Sequence, residues 1–199
     1  MKTRHIKPKR RLTAAEAYAL LTKEKLRIKM LTNLKKHKEE ERTRKSRIIK
    51  DKLFKASSFK KAKKVMFYLP IDGEVDTREM IKEALEKGKT VYVPVCKKNR
   101  IMRPCVICGF TRLKKGLYGI CEPMFKRFTP SHTLDLVVVP GVAFSKKGIR
   151  LGRGKGYYDK FLRSIPDGVP SIGLAYDFQI LPHLPSIPSD INVKRVISN

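Results

Sequence analysis

The segment Gly148-Ile-Arg-Leu-Gly-Arg-Gly-Lys-Gly-Tyr-Tyr-Asp159 concentrates the residue types that could handle phosphate. Gly152, Gly154 and Gly156 let backbone N–H groups approach an anion with no Cβ in the way. Arg150, Arg153 and Lys155 supply charge, and a helix beginning at about Tyr157 would add the dipole of its N-terminus. The spacing matches neither the Walker loop nor the Rossmann dinucleotide fingerprint, so the pattern alone reads as a phosphate cradle or as a mobile basic turn. Asp159 falls in the first turn of the expected helix. There a carboxylate can hold Mg²⁺ against phosphate oxygens, or simply complement the helix dipole.

Other candidates are more dispersed. In Ile-Asp-Gly-Glu-Val-Asp-Thr (71–77), Asp72, Glu74 and Asp76 follow an apolar run, at the strand end where open α/β sheets bind ligands. Asp76 suits the cap of the next helix and Glu74 a ligand contact. Lys23 and Arg27, at i and i+4, project from one face of a helix, which is either solvated surface or part of a site. Cys105-x-x-Cys108, with Cys96 and Cys121 nearby, could form a four-cysteine zinc site, but a single CxxC favours reduced thiols. The four histidines (5, 37, 132, 183) have no ligand spacing.

These residues need a scaffold. Thr13 and Glu16 have capping-box spacing, and Ala17, Leu20, Leu21, Leu31 and Leu34 stand among strong helix formers, which predicts a long first helix. Ile48, Ile49, Leu53 and Phe54 give residues 39–54 one apolar edge and predict a second. Beyond it come short β-rich runs: Val65–Pro70, Thr90–Val95, Leu134–Pro140 and Pro170–Tyr176. A helical pattern over 76–87, stopped by Gly88, separates the first two and makes a βαβ unit. Continuous apolar runs fit parallel strands covered on both faces. The expected fold is a three-layer α/β domain with a mostly parallel sheet, a Rossmann-like open α/β arrangement preceded by two N-terminal helices. A basic flexible arm occupies residues 1–12 and one domain residues 13–199. Ile101–Ile107 is one further strand, in a region 96–133 that is otherwise hard to assign.

At 199 residues and 41% hydrophobic content the chain can bury a core, and its longest apolar runs are too short to span a bilayer. The formal charge is +28, which favours polyanions as partners. It is uneven: residues 1–64 hold 24 Lys+Arg against 6 Asp+Glu, and the remainder 22 against 12. A basic nucleic-acid-binding protein, or an enzyme with an accessory RNA-binding tail, is therefore the alternative to a phosphate-handling enzyme. Weak nonspecific nucleic-acid binding is expected from charge alone. No RNA- or DNA-binding motif accompanies the charge, and the aromatic residues are not interleaved with the basic clusters as stacking platforms require. The arm is Lys-rich and nearly Ser-free, unlike a transit peptide, so a cytoplasmic address is expected.

Leu151-Gly-Arg-Gly-Lys-Gly-Tyr-Tyr-Asp159, placed after Asp135-Leu-Val-Val-Val-Pro-Gly-Val-Ala-Phe-Ser-Lys-Lys-Gly-Ile-Arg150, resembles the signature of the 5-formyltetrahydrofolate cyclo-ligase family, also called 5,10-methenyltetrahydrofolate synthetases. Lys23–Arg27, Leu69–Thr77, Gly119–Pro123 and the closing Gly173–Asp190 are similar to further family segments in the same order. The resemblance implies an ATP- and Mg²⁺-dependent conversion of 5-formyltetrahydrofolate to 5,10-methenyltetrahydrofolate, with ADP and phosphate released, by a monomer. It implies catalytic roles for Arg150, Arg153 and Lys155. Nucleotide contacts would come from Lys23, Arg27, Arg150, Leu151, Gly152, Arg153, Gly154, Lys155, Gly156, Tyr157 and Tyr158. Folate contacts would come from Leu69, Glu74, Arg153, Gly154, Lys155, Gly156 and Tyr157, and magnesium ligands would be Asp159 and Asp190. Three features depart from the family: Lys194 stands where an acidic residue is more usual, a mid-chain Trp seen in some members is absent, and residues 1–12 extend beyond the usual start.

Overall fold

The computed structural model describes residues 12–109 and 111–199, so the expected arm lies, apart from Leu12, outside the described residues. The chain opens with helix α1 (Ala14–Lys36), whose Thr13 side chain accepts the amide of Glu16 while Glu16 accepts the amide of Thr13, the anticipated capping box. Its apolar anchors lie in the second half, where Met30 and Leu34 are buried, while in the first half Leu20 and Leu21 lie on the surface and Lys23 is buried. Helix α2 (Glu39–Lys55) and a short helix α3 (Ser57–Lys61), which the sequence did not announce, follow. Strand β1 (Lys64–Met66) leads through a loop to α4 (Arg78–Glu86) and then to β2 (Thr90–Lys97) and β3 (Ile101–Ile107). A small hairpin, β4 (Leu113–Lys115) with β5 (Cys121–Pro123), precedes β6 (Leu136–Val139). After it come the two-residue strands β7 (Ala143–Phe144) and β8 (Arg150–Leu151), helix α5 (Tyr157–Ser164), β9 (Ser171–Ala175) and β10 (Arg195–Ser198).

Six strands form the main sheet in the order β10-β9-β6-β1-β2-β3, parallel throughout except for β3, which pairs antiparallel with β2. The mostly parallel α/β architecture is therefore as expected. Strands β1 and β6 are shorter than their apolar runs, because Phe67, Tyr68 and Leu134 are buried as loop residues flanking the strands. β10 was not foreseen; its sequence Arg-Val-Ile-Ser is too short and mixed to stand out, and it exists because β9 offers an edge with which Arg195–Ser198 can pair in parallel. Both sheet faces are covered. One core gathers Leu34, Ile49, Leu53, Phe59, Phe67 and Met80 from the helices and sheet, and another gathers Met66, Val137, Phe144, Phe161 and Leu162 around α5.

The chain runs outward from β1 to β2 on one side and from β6 to β9 and β10 on the other. Between β1 and β6 the strand order reverses, which leaves a crevice at their carboxyl ends. The loop after β1 is pinned there by an Asp72-Gly73 turn with φ values of +45° and +81°. A Cβ on Gly73 would lie 2.3 Å from the carbonyl oxygen of Leu34 in α1, so only glycine permits this approach. Gly73→Ala is expected to cost about 2–4 kcal/mol and to lower Tm by roughly 5–10 °C in thermal unfolding. An unchanged Tm would mean that the loop does not bear on α1.

Candidate active site

The crevice is a cleft of about 830 Å³. The loop after β1 supplies Ile71, Asp72 and Glu74, the segment from Arg150 through Asp159 supplies the opposite wall, and α1 supplies Lys23 and Arg27. The glycine loop leaves the β7–β8 hairpin and enters α5, with Gly154 and Gly156 both left-handed at φ +84° and +69°. Gly156 is the residue immediately before α5, so the loop delivers its backbone to a helix N-terminus, as the phosphate-cradle reading requires.

Four of the anticipated cations, Lys23, Arg27, Arg150 and Arg153, are tied to particular partners. Arg153 crosses to the loop after β1: its Nε donates to Glu74 Oε1 at 2.9 Å, Nη1 to Asp72 Oδ2 at 2.9 Å and Nη2 to the Ile71 carbonyl at 3.2 Å. Buried Arg150 donates Nη2 to Asp159 Oδ1 at 3.0 Å and stands over the ring of Tyr158, 5.5 Å from its centroid. Buried Lys23 pairs with Asp190 Oδ2, and Arg27 pairs with Glu24 while its Nε donates to the Gly152 carbonyl at 2.9 Å. Tyr157 donates its hydroxyl to the Lys97 carbonyl at 2.7 Å. Two buried polar atoms of cleft-lining residues, Arg150 Nε and the Tyr158 hydroxyl, have no hydrogen-bond partner among the described residues.

The two expected magnesium ligands face this cleft together, linked by the amide of Ile191, which donates to Asp159 Oδ1 at 3.4 Å. Among the described residues the polar contacts of Asp159 fall on Oδ1 and those of Asp190 on Oδ2, so that each carboxylate has a second oxygen without a protein partner there. A carboxylate with a spare oxygen is the kind of ligand Mg²⁺ takes, one or two at a time beside water and phosphate oxygens. No group of three or more acids, histidines or cysteines forms a metal cluster among the described residues. Lys194 does not disturb this corner; its side chain is exposed and its amide bonds Ser171.

All the anticipated site residues line the cleft except Leu69, which is half-buried and packs against the core beside the loop after β1. The N-cap of α4 is Thr77 rather than Asp76, with no side-chain capping bond; Asp76, one position earlier, accepts the amide of Arg78, the first residue of the helix. The four cysteines form no disulfide among the described residues: Cys105 is buried, Cys108 and Cys121 are exposed, and Cys96 reaches the cleft wall, its thiol pushed up to about 11 by burial. Arg100, Lys160 and Arg163, not anticipated from the sequence, also line the cleft. A lone Arg in a turn and two cations along a helix carry no spacing that would have singled them out.

Burial pushes the Glu74 carboxyl above its ordinary range, against the pull of the Arg153 charge and its hydrogen bond. A carboxyl whose native pKa exceeds its unfolded value costs stability at pH above that native value, and the cost fades as pH falls through it. Arg153→Ala removes the opposing cation and raises the native value further. Its loss of Tm relative to the parent should therefore be larger at pH 8 than at pH 5, and a deficit independent of pH would show that Glu74 is not the group left unpaired.

The described residues include no helix long and apolar enough to cross a membrane. Over residues 20–199 the chain matches the model of the 5-formyltetrahydrofolate cyclo-ligase family. It is 34% identical to a probable 5-formyltetrahydrofolate cyclo-ligase of Caenorhabditis elegans, over 88% of this chain and 91% of that one. It is 29% identical to the 5-formyltetrahydrofolate cyclo-ligase of Mus musculus, over 86% and 91%. The solved structure of Aquifex aeolicus 5,10-methenyltetrahydrofolate synthetase superposes with a TM-score of 0.78 at 37% identity, covering 88% of each chain. With the glycine loop, the crevice and the paired carboxylates all in one cleft, these matches establish that the chain belongs to the 5-formyltetrahydrofolate cyclo-ligase family.

Proposed function

We propose that the chain catalyses the ATP- and Mg²⁺-dependent cyclisation of 5-formyltetrahydrofolate to 5,10-methenyltetrahydrofolate, releasing ADP and phosphate. The observation that carries this reading is the meeting of the glycine loop with two half-engaged carboxylates, Asp159 and Asp190, in a cleft walled by Lys23, Arg27, Arg150 and Arg153. The formyl oxygen attacks the γ-phosphoryl group, N10 closes onto the activated carbon, and phosphate leaves. Such a sequence needs alignment and charge neutralisation rather than a protein nucleophile.

Lys23, Arg27 and the loop from Arg150 to Tyr158 hold the nucleotide, and Arg150, Arg153 and Lys155 stabilise charge on the transferred phosphoryl group. Asp159 and Asp190 hold Mg²⁺, which neutralises phosphate oxygens when bound. Glu74 accepts hydrogen bonds from folate nitrogens, with Tyr157 and the side of the loop nearest Arg153 completing the folate contacts. Leu69 supports this wall from behind. The pairs Lys23–Asp190 and Arg150–Asp159 hold both carboxylates in place before ligands arrive and leave each cation beside the place where phosphate must sit. Four cysteines that form no disulfide among the described residues suit the reducing compartment that a cytoplasmic address provides.

Purified protein with ATP, Mg²⁺ and 5-formyltetrahydrofolate should generate the methenyl chromophore together with one ADP per turnover; its absence at saturating substrates would refute the assignment. Asp159→Asn should abolish turnover with the fold retained, and Arg153→Ala should lower kcat on the order of 10²-fold or more. Wild-type kinetics in either variant would contradict the roles given to these side chains.

A further inference from the structure

We propose that Arg100 is an additional nucleotide-binding residue, gripping phosphate beside Gly156 of the glycine loop as Arg27 stands beside Gly154; this rests on the reading that the loop binds a nucleotide. Strands β2 and β3 are joined by Lys98-Asn99-Arg100, since Lys97 pairs with Ile101. The turn contains no glycine, yet Asn99 and Arg100 adopt φ values of +62° and +56°. Left-handed backbone is uncommon for arginine and is held only where surrounding structure enforces it. Here the enforcement comes from α5. Tyr157 donates its hydroxyl to the Lys97 carbonyl at 2.7 Å and Lys160 donates Nζ to the Asn99 carbonyl at 3.1 Å, so the hairpin tip is registered on the first turn of that helix.

This registration lays the Arg100 side chain against the loop. Its Cδ and Nη1 lie 3.6 Å from where a Cβ of Gly156 would stand, as the guanidinium carbon of Arg27 lies 3.3 Å from the corresponding position on Gly154. Two guanidinium groups from distant parts of the chain thus flank the loop at its two left-handed glycines. They differ in one respect. Lys23, Arg27, Arg150 and Arg153 are all engaged by protein acceptors, whereas Arg100 lines the same cleft and, among the described residues, makes neither a hydrogen bond nor an ion pair. A cation fixed by a strained turn beside the N-terminus of α5, with no acceptor of its own, is placed for the anion that the helix end also favours, a phosphate group of the nucleotide.

The test is calorimetric titration of ADP with Mg²⁺ into the full chain, together with separate KM values for ATP and for 5-formyltetrahydrofolate. Arg100→Ala should weaken ADP and raise the KM for ATP by roughly tenfold or more, the loss of one charge-assisted hydrogen bond, with kcat and the folate KM within about twofold and Tm unchanged. Arg100→Lys should recover part of the loss. A rise confined to the folate KM would place Arg100 on the glutamate carboxylates of folate and overturn the proposal. So would unchanged values for both substrates, or an equal loss in both that Arg100→Lys does not restore, which is the mark of a collapsed hairpin. Wild-type protein that fails to bind ADP would instead refute the nucleotide reading of the loop, and this proposal with it.

Discussion

The cleft depends on one side chain, Arg153, which spans from the glycine loop to three acceptors on the loop after β1: Glu74, Asp72 and the Ile71 carbonyl. One loop leaves β1 and the other leaves the β7–β8 hairpin, some 80 positions further along the sequence, and nothing in the pairing of the main sheet alone sets the distance between them. The Arg153 fork does so. Its partner Glu74 is buried, which pushes its carboxyl up against the pull of the Arg153 charge, and removing one member of a buried ion pair is strongly destabilising, by roughly 3–5 kcal/mol. Each partner is therefore useful only in the presence of the other. The remainder of the β1 loop prepares that meeting: Tyr68 donates its hydroxyl to the Val75 carbonyl at 2.9 Å, Tyr176 donates its own to the Glu74 carbonyl at 3.2 Å, and Ser46 accepts the amide of Asp76.

The same economy of charge runs through the rest of the cleft. Lys23 connects α1 to the segment before β10 through Asp190, and Arg150 connects the β7–β8 hairpin to α5 through Asp159. Ion pairs at this depth contribute little net stability because desolvation offsets their attraction. Their value is geometric. They fix four side chains that the proposed chemistry needs before any substrate arrives, so that little reorganisation accompanies charge transfer. Each aspartate is held by one oxygen only, and the arrangement that stabilises the fold leaves the other oxygen available.

The elements that carry a strong local signal were legible in the sequence: the capping box at Thr13, the four apolar runs that became parallel strands, and the glycine loop leading into α5 at Tyr157. So was the content of the site, because Gly152 to Asp159 brings backbone, charge and carboxylate together in one stretch. What was not legible arises from tertiary pairing. β10 exists only against β9, and Ser46, on a charged helix, meets the β1 loop solely because α2 packs there. Arg100 enters the cleft because a hairpin turn of polar residues adopts left-handed backbone, a conformation that Lys98-Asn99-Arg100 does not advertise without a glycine. Likewise Leu69, next to residues that do face the cleft, turns toward the core.

The net charge of +28 is only partly explained by these contacts. Some of the surplus in the first 64 residues fastens α2 to its surroundings: Lys45 pairs with Asp177, Lys50 with Glu83, and Lys52 donates to the Ser198 carbonyl at 2.7 Å on the last strand. Exposed pairs of this kind are worth at most about 1 kcal/mol each and cannot account for so strong a bias. A long-range role fits better. In the proposed reaction ATP and a folate are both anions that must reach one cleft, and a positive field raises their local concentration and encounter rate without any bond to a particular lysine. Such a field does not distinguish one anion from another. Selectivity must therefore reside in the few cations whose positions the fold fixes, while the many others act only on arrival.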